Sequence, residues 1–262
     1  MPNIGGSLAG TALPVRDGIR WLRYASPQAF YGLAGRLAPW FAAAALLAAA
    51  GGLYVGLLVA PADPQQGEVY RIVFLHVPAA WMSIFLYLVM AAWAGLGLAL
   101  NSRLSAMMAL AVAPTGALAT LLALVSGAIW GKPVWGAWWV WDARLTSELV
   151  LLFLYLGFMA LSAAIDDPRR ADRAAAVLAL VGVVNVPILH FSVQWWNTLH
   201  QGASVSLLRS PGMDGVMLLG VALMALAMWM YSVAAAFARV RCILLEREQG
   251  AEWVAREIEG RR

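Results

Sequence analysis

The chain has 262 residues, 62% of them hydrophobic and only 12% charged, where a soluble domain carries roughly a quarter charged residues; a water-soluble globular protein is excluded and lipid is the fitting solvent. The formal charge of +4 does not point to nucleic acid, because the basic residues flank hydrophobic runs instead of forming one basic face. The single cysteine, Cys242, excludes an internal disulfide framework and a Cys-x-x-Cys redox pair.

Residues 1–37 form a polar and aromatic N-terminal segment, whose stretch from Trp21 to Trp40 mixes Arg with aromatics and suits the inner membrane interface. The apolar run at 38–60 is too long for the core of a cleaved signal and reads as a retained span, since about 20 apolar residues cross a hydrocarbon core of about 30 Å. Further spans are predicted at 73–100, 105–129, 148–165, 173–192 and 215–238. Pro114 and Pro187 fall inside the third and fifth, where neighbouring helices can satisfy the freed carbonyls. Asn185, a polar residue within the fifth, reads as helix–helix glue. The expectation is an all-α membrane protein of six transmembrane helices, one domain over residues 38–240, with a tail at 241–262.

Fourteen of the eighteen Lys and Arg residues lie on one side of this arrangement: Arg16, Arg20, Arg23, Arg36, Arg103, Arg169, Arg170, Arg173 and the six arginines from Arg239 onward. Arg71, Lys132, Arg144 and Arg209 lie on the other. Basic residues favour the cytoplasmic side, so both termini are expected there, and the connections near 61–72, 130–147 and 193–214 face outward.

The second outer connection, 130–147, lies between the third and fourth helices and is rich in tryptophan. Trp130, Trp135, Trp138, Trp139 and Trp141 fall within twelve residues, and Trp195 and Trp196 stand in the third connection. One or two tryptophans at a helix end are ordinary interfacial anchors. Five in one short loop point to a platform for a large flat apolar ligand, or to an apolar protein-binding surface.

All three histidines belong to the same side. His76 opens the second helix and His190 closes the fifth, so both reach similar depth just beneath the outer boundary. Two imidazoles at one level on different helices can hold a metal from opposite sides. Beside the tryptophan loop that pairing favours a porphyrin iron; the lone cysteine excludes covalent c-type attachment, and no Cys or carboxylate cluster completes a tetrahedral zinc site. His200, in the third connection, reads as a structural or transient partner. Heme propionates need cations, for which Arg71, Lys132 and Arg144 are the candidates, although Arg144 could equally pair with Asp142 or Glu148 and only shape the loop. Asp142 reads as an orienting hydrogen-bond acceptor. No phosphate-binding glycine loop or nucleophile–base pattern is present, and charge deep inside the predicted spans is absent.

Four stretches, at 60–67, 74–80, 130–150 and 184–202, closely resemble the cytochrome c maturation protein C (heme exporter protein C) family, of the heme-handling group with a "WWD" loop. The likeness runs from about residue 38 to 240. It implies non-covalent heme b with bis-His ligation by His76 and His190, and a platform over Trp130 to Arg144. It implies a multi-pass component of the bacterial inner membrane that presents heme to a heme chaperone, cytochrome c maturation protein E. Its other implied partners are the ABC transporter proteins of the same system, cytochrome c maturation proteins A and B, and the small membrane protein of that system, cytochrome c maturation protein D. The component would be no conventional enzyme, though it could assist covalent heme attachment to the chaperone. The residues alone leave a second reading, a b-type heme protein that oxidises quinol, although such proteins commonly bury more than one histidine pair near mid-membrane.

Overall fold

The computed structural model describes residues 24–200 and 213–260. They are almost wholly helical; the only β pairing among them is a single bridge between Asp63 and Gly67. Arg16, Arg20, Arg23, Arg209, Arg261 and Arg262 lie outside the described residues.

Five of the eight α-helices among the described residues begin behind a residue whose side chain caps them. α1 (Pro27–Tyr54) starts behind Ser26, whose hydroxyl accepts the Ala29 N–H, with Pro27 in the first turn where no N–H is needed. It runs on through a π-helical turn, Val55–Val59. The helix therefore begins eleven residues before the predicted start at 38, because Pro39 is accommodated within it, and residues 27–37 of the N-terminal segment are helical and continuous with the first span. A 3-10 turn, Glu68–Ile72, leads into α2 (Val73–Leu100). Asn101, left-handed at φ 50°, and Ser102 make a two-residue connection to α3 (Arg103–Trp135). α4 (Ala143–Ala164) is capped by Asp142, and α5 (Pro168–Gly182) by Asp167. α6 (Asn185–Trp195) continues α5 after a short break; α7 (Gly215–Arg247) and α8 (Glu252–Glu259) complete the order.

Six helical segments are long and apolar enough to cross a membrane: Pro27–Val59, Glu68–Leu100, Arg103–Trp135, Ala143–Ala164, Pro168–Trp195 and Gly215–Arg247. The fifth combines α5 and α6. Pro187 has no N–H to give the Val183 carbonyl, and the Val186 N–H takes that carbonyl instead at 3.0 Å. The break is thus a tightened turn with no orphaned backbone. Asn185 clamps it to α4 by donating Nδ2–H to the Ser147 carbonyl at 2.9 Å, the inter-helix role its position suggested.

α1 packs chiefly on α7, and α2 on α3, while α4 meets α3, α5 and α6. The centre of the bundle is a tyrosine pair. Tyr87 (α2) and Tyr155 (α4) meet edge to face at 5.1 Å, and each phenol is satisfied by a carbonyl of another helix, Ala179 at 3.1 Å and Ser83 at 2.8 Å respectively. Gly116 and Gly182 permit this, since a Cβ at either would overlap the Tyr155 ring or the Tyr87 hydroxyl. At the arginine-rich end Arg247 grips Asp172 through both carboxylate oxygens, at 2.8 and 3.0 Å. There α8 lies against α1, with Trp253 beside Tyr31 at 5.5 Å. The opposite end carries the tryptophan cluster of residues 130–141 together with Trp195 and Trp196.

Candidate functional site

The tryptophan-rich end is built differently from a single long loop. α3 continues to Trp135 and closes on Gly136 (φ 78°), where the Gly136 N–H bonds to the Lys132 carbonyl. Trp130, Lys132 and Trp135 are therefore helical, and α4 begins at Ala143. The true connection is only Gly136 to Asp142, shorter than the 130–147 expected, because Pro133 is tolerated inside α3.

His76 sits near the start of α2 and is buried. Its Nδ1 lies 3.0 Å from Ser126 Oγ on α3. The Ser126 hydroxyl already donates to the Leu122 carbonyl at 2.5 Å, and a carbonyl can only accept. We assign the imidazole proton to Nδ1, donated to Ser126 Oγ. Nε2 then keeps its lone pair, the arrangement that prepares a histidine for a metal. Trp130 stands edge-on to the same ring at 5.5 Å, held by a 2.7 Å hydrogen bond from its Nε1–H to Gln66 Oε1. Gly127 leaves the other flank open: a Cβ there would come 3.0 Å from His76 Cε1.

His76, Gly127 and Trp130 line a cavity of about 650 Å³ including its mouth, bounded also by Trp135, Arg144, Glu148 and His200. The His200 ring centre is 6.2 Å from that of His76 and 6.1 Å from that of Trp135. The segment carrying His200 is anchored through Asp142. Asp142 Oδ1 accepts the Leu145 N–H at 2.8 Å and caps α4, while Oδ2 accepts the Thr198 hydroxyl at 2.5 Å. Thr198 Oγ1 in turn accepts the His200 N–H at 2.9 Å. Arg144 donates to the Leu189 carbonyl at 2.9 Å and makes no ion pair among the described residues. Arg144 itself lines the cavity, and the alternative pairing with Asp142 or Glu148 does not form within ion-pair distance. Glu148 is buried on the same wall, with Oε1 unpartnered among the described residues.

His190 requires a correction. Its ring is exposed, meets Phe191 at 4.7 Å, and does not line the cavity. The buried residues of α6 are Val186, Leu189 and Ser192, spaced by three; His190 stands one residue, about 100° of helix, away from that stripe. The structure thus pairs His76 with His200, a residue that no helical period could flag.

The other expected site residues divide by role. Arg71 donates to the Gly56 carbonyl at 2.5 Å and pairs with Glu68, which ties α1 to α2. Lys132 Nζ donates to the Gly136 carbonyl at 3.0 Å. Trp138, Trp141, Trp195 and Trp196 are exposed. Trp139 packs on Trp141 at 5.4 Å with its own N–H unpartnered among the described residues. Of these indoles, Trp130 and Trp135 line the cavity, Trp139 is half-buried, and the other four are exposed. Ser126, Gly127, Gln66, Glu148 and Thr198 were not singled out from the sequence as site residues, and only Glu148's place beside the loop hinted at it.

Against known families, residues 20–255 match the model for heme exporter protein C. The chain belongs to the heme exporter protein C family. It is 46% identical over 234 residues to the heme exporter protein C of Escherichia coli K12, covering 89% of this chain and 94% of that protein. It is 49% identical over 224 residues to that of Bradyrhizobium diazoefficiens, covering 85% and 84%. The Haemophilus influenzae protein of the same name is 44% identical over 236 residues, covering 90% and 96%.

Proposed function

We propose that this family member binds heme as cargo in the cavity beside His76, at the periplasmic face of the bacterial inner membrane, and passes it to a heme chaperone during c-type cytochrome biogenesis. The observation that carries this reading is the juxtaposition in one apolar cavity of two imidazoles, two indoles and an arginine that makes no ion pair among the described residues. Metal–imidazole bonds of about 2 Å on opposite sides of one metal put ring centres roughly 6 Å apart, and the His76–His200 spacing of 6.2 Å agrees. Imidazole suits porphyrin iron. The indoles offer flat apolar contact, and the uncommitted N–H groups of Arg144 suit a propionate.

His76 is one proposed ligand, with its Nε2 lone pair kept by the Ser126 hydrogen bond. For the second, the geometry favours His200 over His190. The heme is b-type in this reading, held without a covalent bond to the chain. The basic residues Arg103, Arg169, Arg170 and Arg173 at the far end support a cytoplasmic position for it, which turns the cavity outward. A site at the rim favours handover, since a soluble domain can reach the porphyrin edge there.

The exposed Trp138, Trp141, Trp195 and Trp196 next to the cavity suit docking of that chaperone, cytochrome c maturation protein E. The ABC transporter proteins A and B of cytochrome c maturation, together with the small cytochrome c maturation protein D, are its proposed neighbours in the bilayer. The protein acts as a transport component, and any part in covalent attachment of heme to the chaperone lies in presenting the ring.

Absorption spectra of the purified protein and its His76→Ala, His200→Ala and His190→Ala variants, each supplied with heme, test the assignment. Loss of the six-coordinate spectrum is expected in the first two and retention in the third. Retention in His200→Ala with loss in His190→Ala would reverse the second ligand, and full retention in all three would remove the site.

A further inference from the structure

A second cavity opens at the arginine-rich end, where α2 and α4 end and α3 and α5 begin. Its volume is about 720 Å³ including its mouth. Its lining combines Asn101, Arg103 and Arg169 at helix ends and Arg173 about a turn deeper with the apolar Leu98, Ala109 and Phe158. One carboxylate, Asp172, shares the wall, but both of its oxygens are taken by Arg247. Arg103 pairs with Glu248 at 3.0 Å while its side chain stays 63% exposed. Arg169 and Arg173, one helical turn apart on α5, have no carboxylate partner among the described residues.

The cavity lies where four membrane-spanning segments leave the hydrocarbon, since α2 and α4 end and α3 and α5 begin there. A ligand at this level meets cations at the boundary and apolar side chains below it. Free phosphate would use only the upper half of such a site. An amphiphile with a phosphate head and an acyl chain would use both. We propose that this cavity binds the phosphate headgroup of an anionic phospholipid of the adjoining leaflet, with Arg169 and Arg173 as its principal contacts and Phe158 and Leu98 against the proximal acyl chain. Basic pockets between transmembrane helices are a usual setting for such headgroups. The lipid would bridge α5 to the α2–α3 turn, which are otherwise tied separately to the end of α7, α5 through Asp172–Arg247 and the start of α3 through Arg103–Glu248.

Native mass spectrometry of the delipidated full-length protein in detergent, titrated with phosphatidylglycerol and with phosphatidylcholine, provides the test. The wild type should take up one phosphatidylglycerol in preference to phosphatidylcholine. The Arg173→Gln protein should lose about fivefold of that preference, the effect of one arginine near a phosphate surface. Arg170→Gln, one residue away and off the cavity wall, should keep it, which separates the site from general charge. Displacement of phosphatidylglycerol by millimolar inorganic phosphate would make the free anion the occupant and overturn the lipid assignment. Equal uptake of the two lipids by the wild type, or equal losses in Arg170→Gln and Arg173→Gln, would overturn the site. Heme spectra of all three proteins should match, so failure here is distinguishable from failure of the heme assignment.

Discussion

Replacing Thr198 by valine deletes one hydroxyl and keeps the shape of the side chain, and that hydroxyl stands at a junction. It donates to Asp142 Oδ2 and accepts from the His200 N–H, so it joins the α4 cap to the segment that carries the proposed second ligand. A hydrogen bond to a charged acceptor contributes about 1.5–3 kcal/mol. The junction is only part-buried, which puts Thr198→Val at the lower end, about 1.5 kcal/mol or roughly a tenfold weaker heme affinity. Water can replace Thr198 at the half-exposed His200 N–H, so that bond adds little. Asp142→Ala removes the same link and also the bond to the Leu145 N–H, a cap worth about 1 kcal/mol of helix stability. Asp142→Asn keeps the cap and weakens only the link.

Heme titrations followed by Soret absorbance, alongside thermal unfolding of each variant, resolve the two effects. Affinity should fall to a similar degree in Thr198→Val, Asp142→Asn and Asp142→Ala, whereas only Asp142→Ala should also lower the unfolding midpoint. The double variant Asp142→Ala/Thr198→Val should bind no more weakly than Asp142→Ala alone, because both changes cut one connection. Wild-type affinity in Thr198→Val together with weakened Asp142→Ala would refute the reasoning and leave Asp142 as a helix cap only.

Two further outcomes follow from glycine positions. Gly127→Ala should leave unfolding unchanged or slightly raised, as alanine favours a helix by about 1 kcal/mol, yet shift the heme spectrum and lower affinity roughly fivefold as its methyl presses on His76; an unaltered spectrum would show the ring has room to move. Gly116→Ala should destabilise the protein by about 1–3 kcal/mol through overpacking against Tyr155, measured as a lower unfolding midpoint, and Gly116→Ala/Tyr155→Leu should recover part of it. A Gly116→Ala protein as stable as wild type would contradict the tight α3–α4 contact.

Segment length and apolar composition made the six spans legible, and the structure agrees in number and order. Their ends were harder to read, for local reasons. Ser26 and Pro27 start α1 before the residues turn uniformly apolar, and α3 runs through Gly131 to close at Gly136, six residues past Trp130. At the candidate site, distance along a helix could be counted from the sequence but rotation about its axis could not. His76 and His190 share a level, yet only the packing of α6 on α4 decides that Leu189 faces in and His190 out. His200 belongs to a segment with no period at all, located by a threonine and an aspartate 56 residues apart. The tryptophans were legible as a group, and their division into cavity wall and outer surface was not, because it depends on α3 remaining helical through Pro133.

Arg239 has a bearing on how the bundle is put together. The predicted sixth span stopped one residue short of it, whereas α7 carries it about 12 Å inside its final residue, at 1.5 Å per residue. Its guanidinium donates to the Ala111 carbonyl at 3.1 Å and to the Thr115 hydroxyl, flanking Pro114, the residue whose missing N–H disturbs the ladder of α3. An arginine without those acceptors would be expensive at that depth. The acceptors exist only once the third helix is in place, and synthesis from the N-terminus delivers it first. Two acceptors on one early segment thus form the berth for a charge in the last, and tie the closing helix to the third.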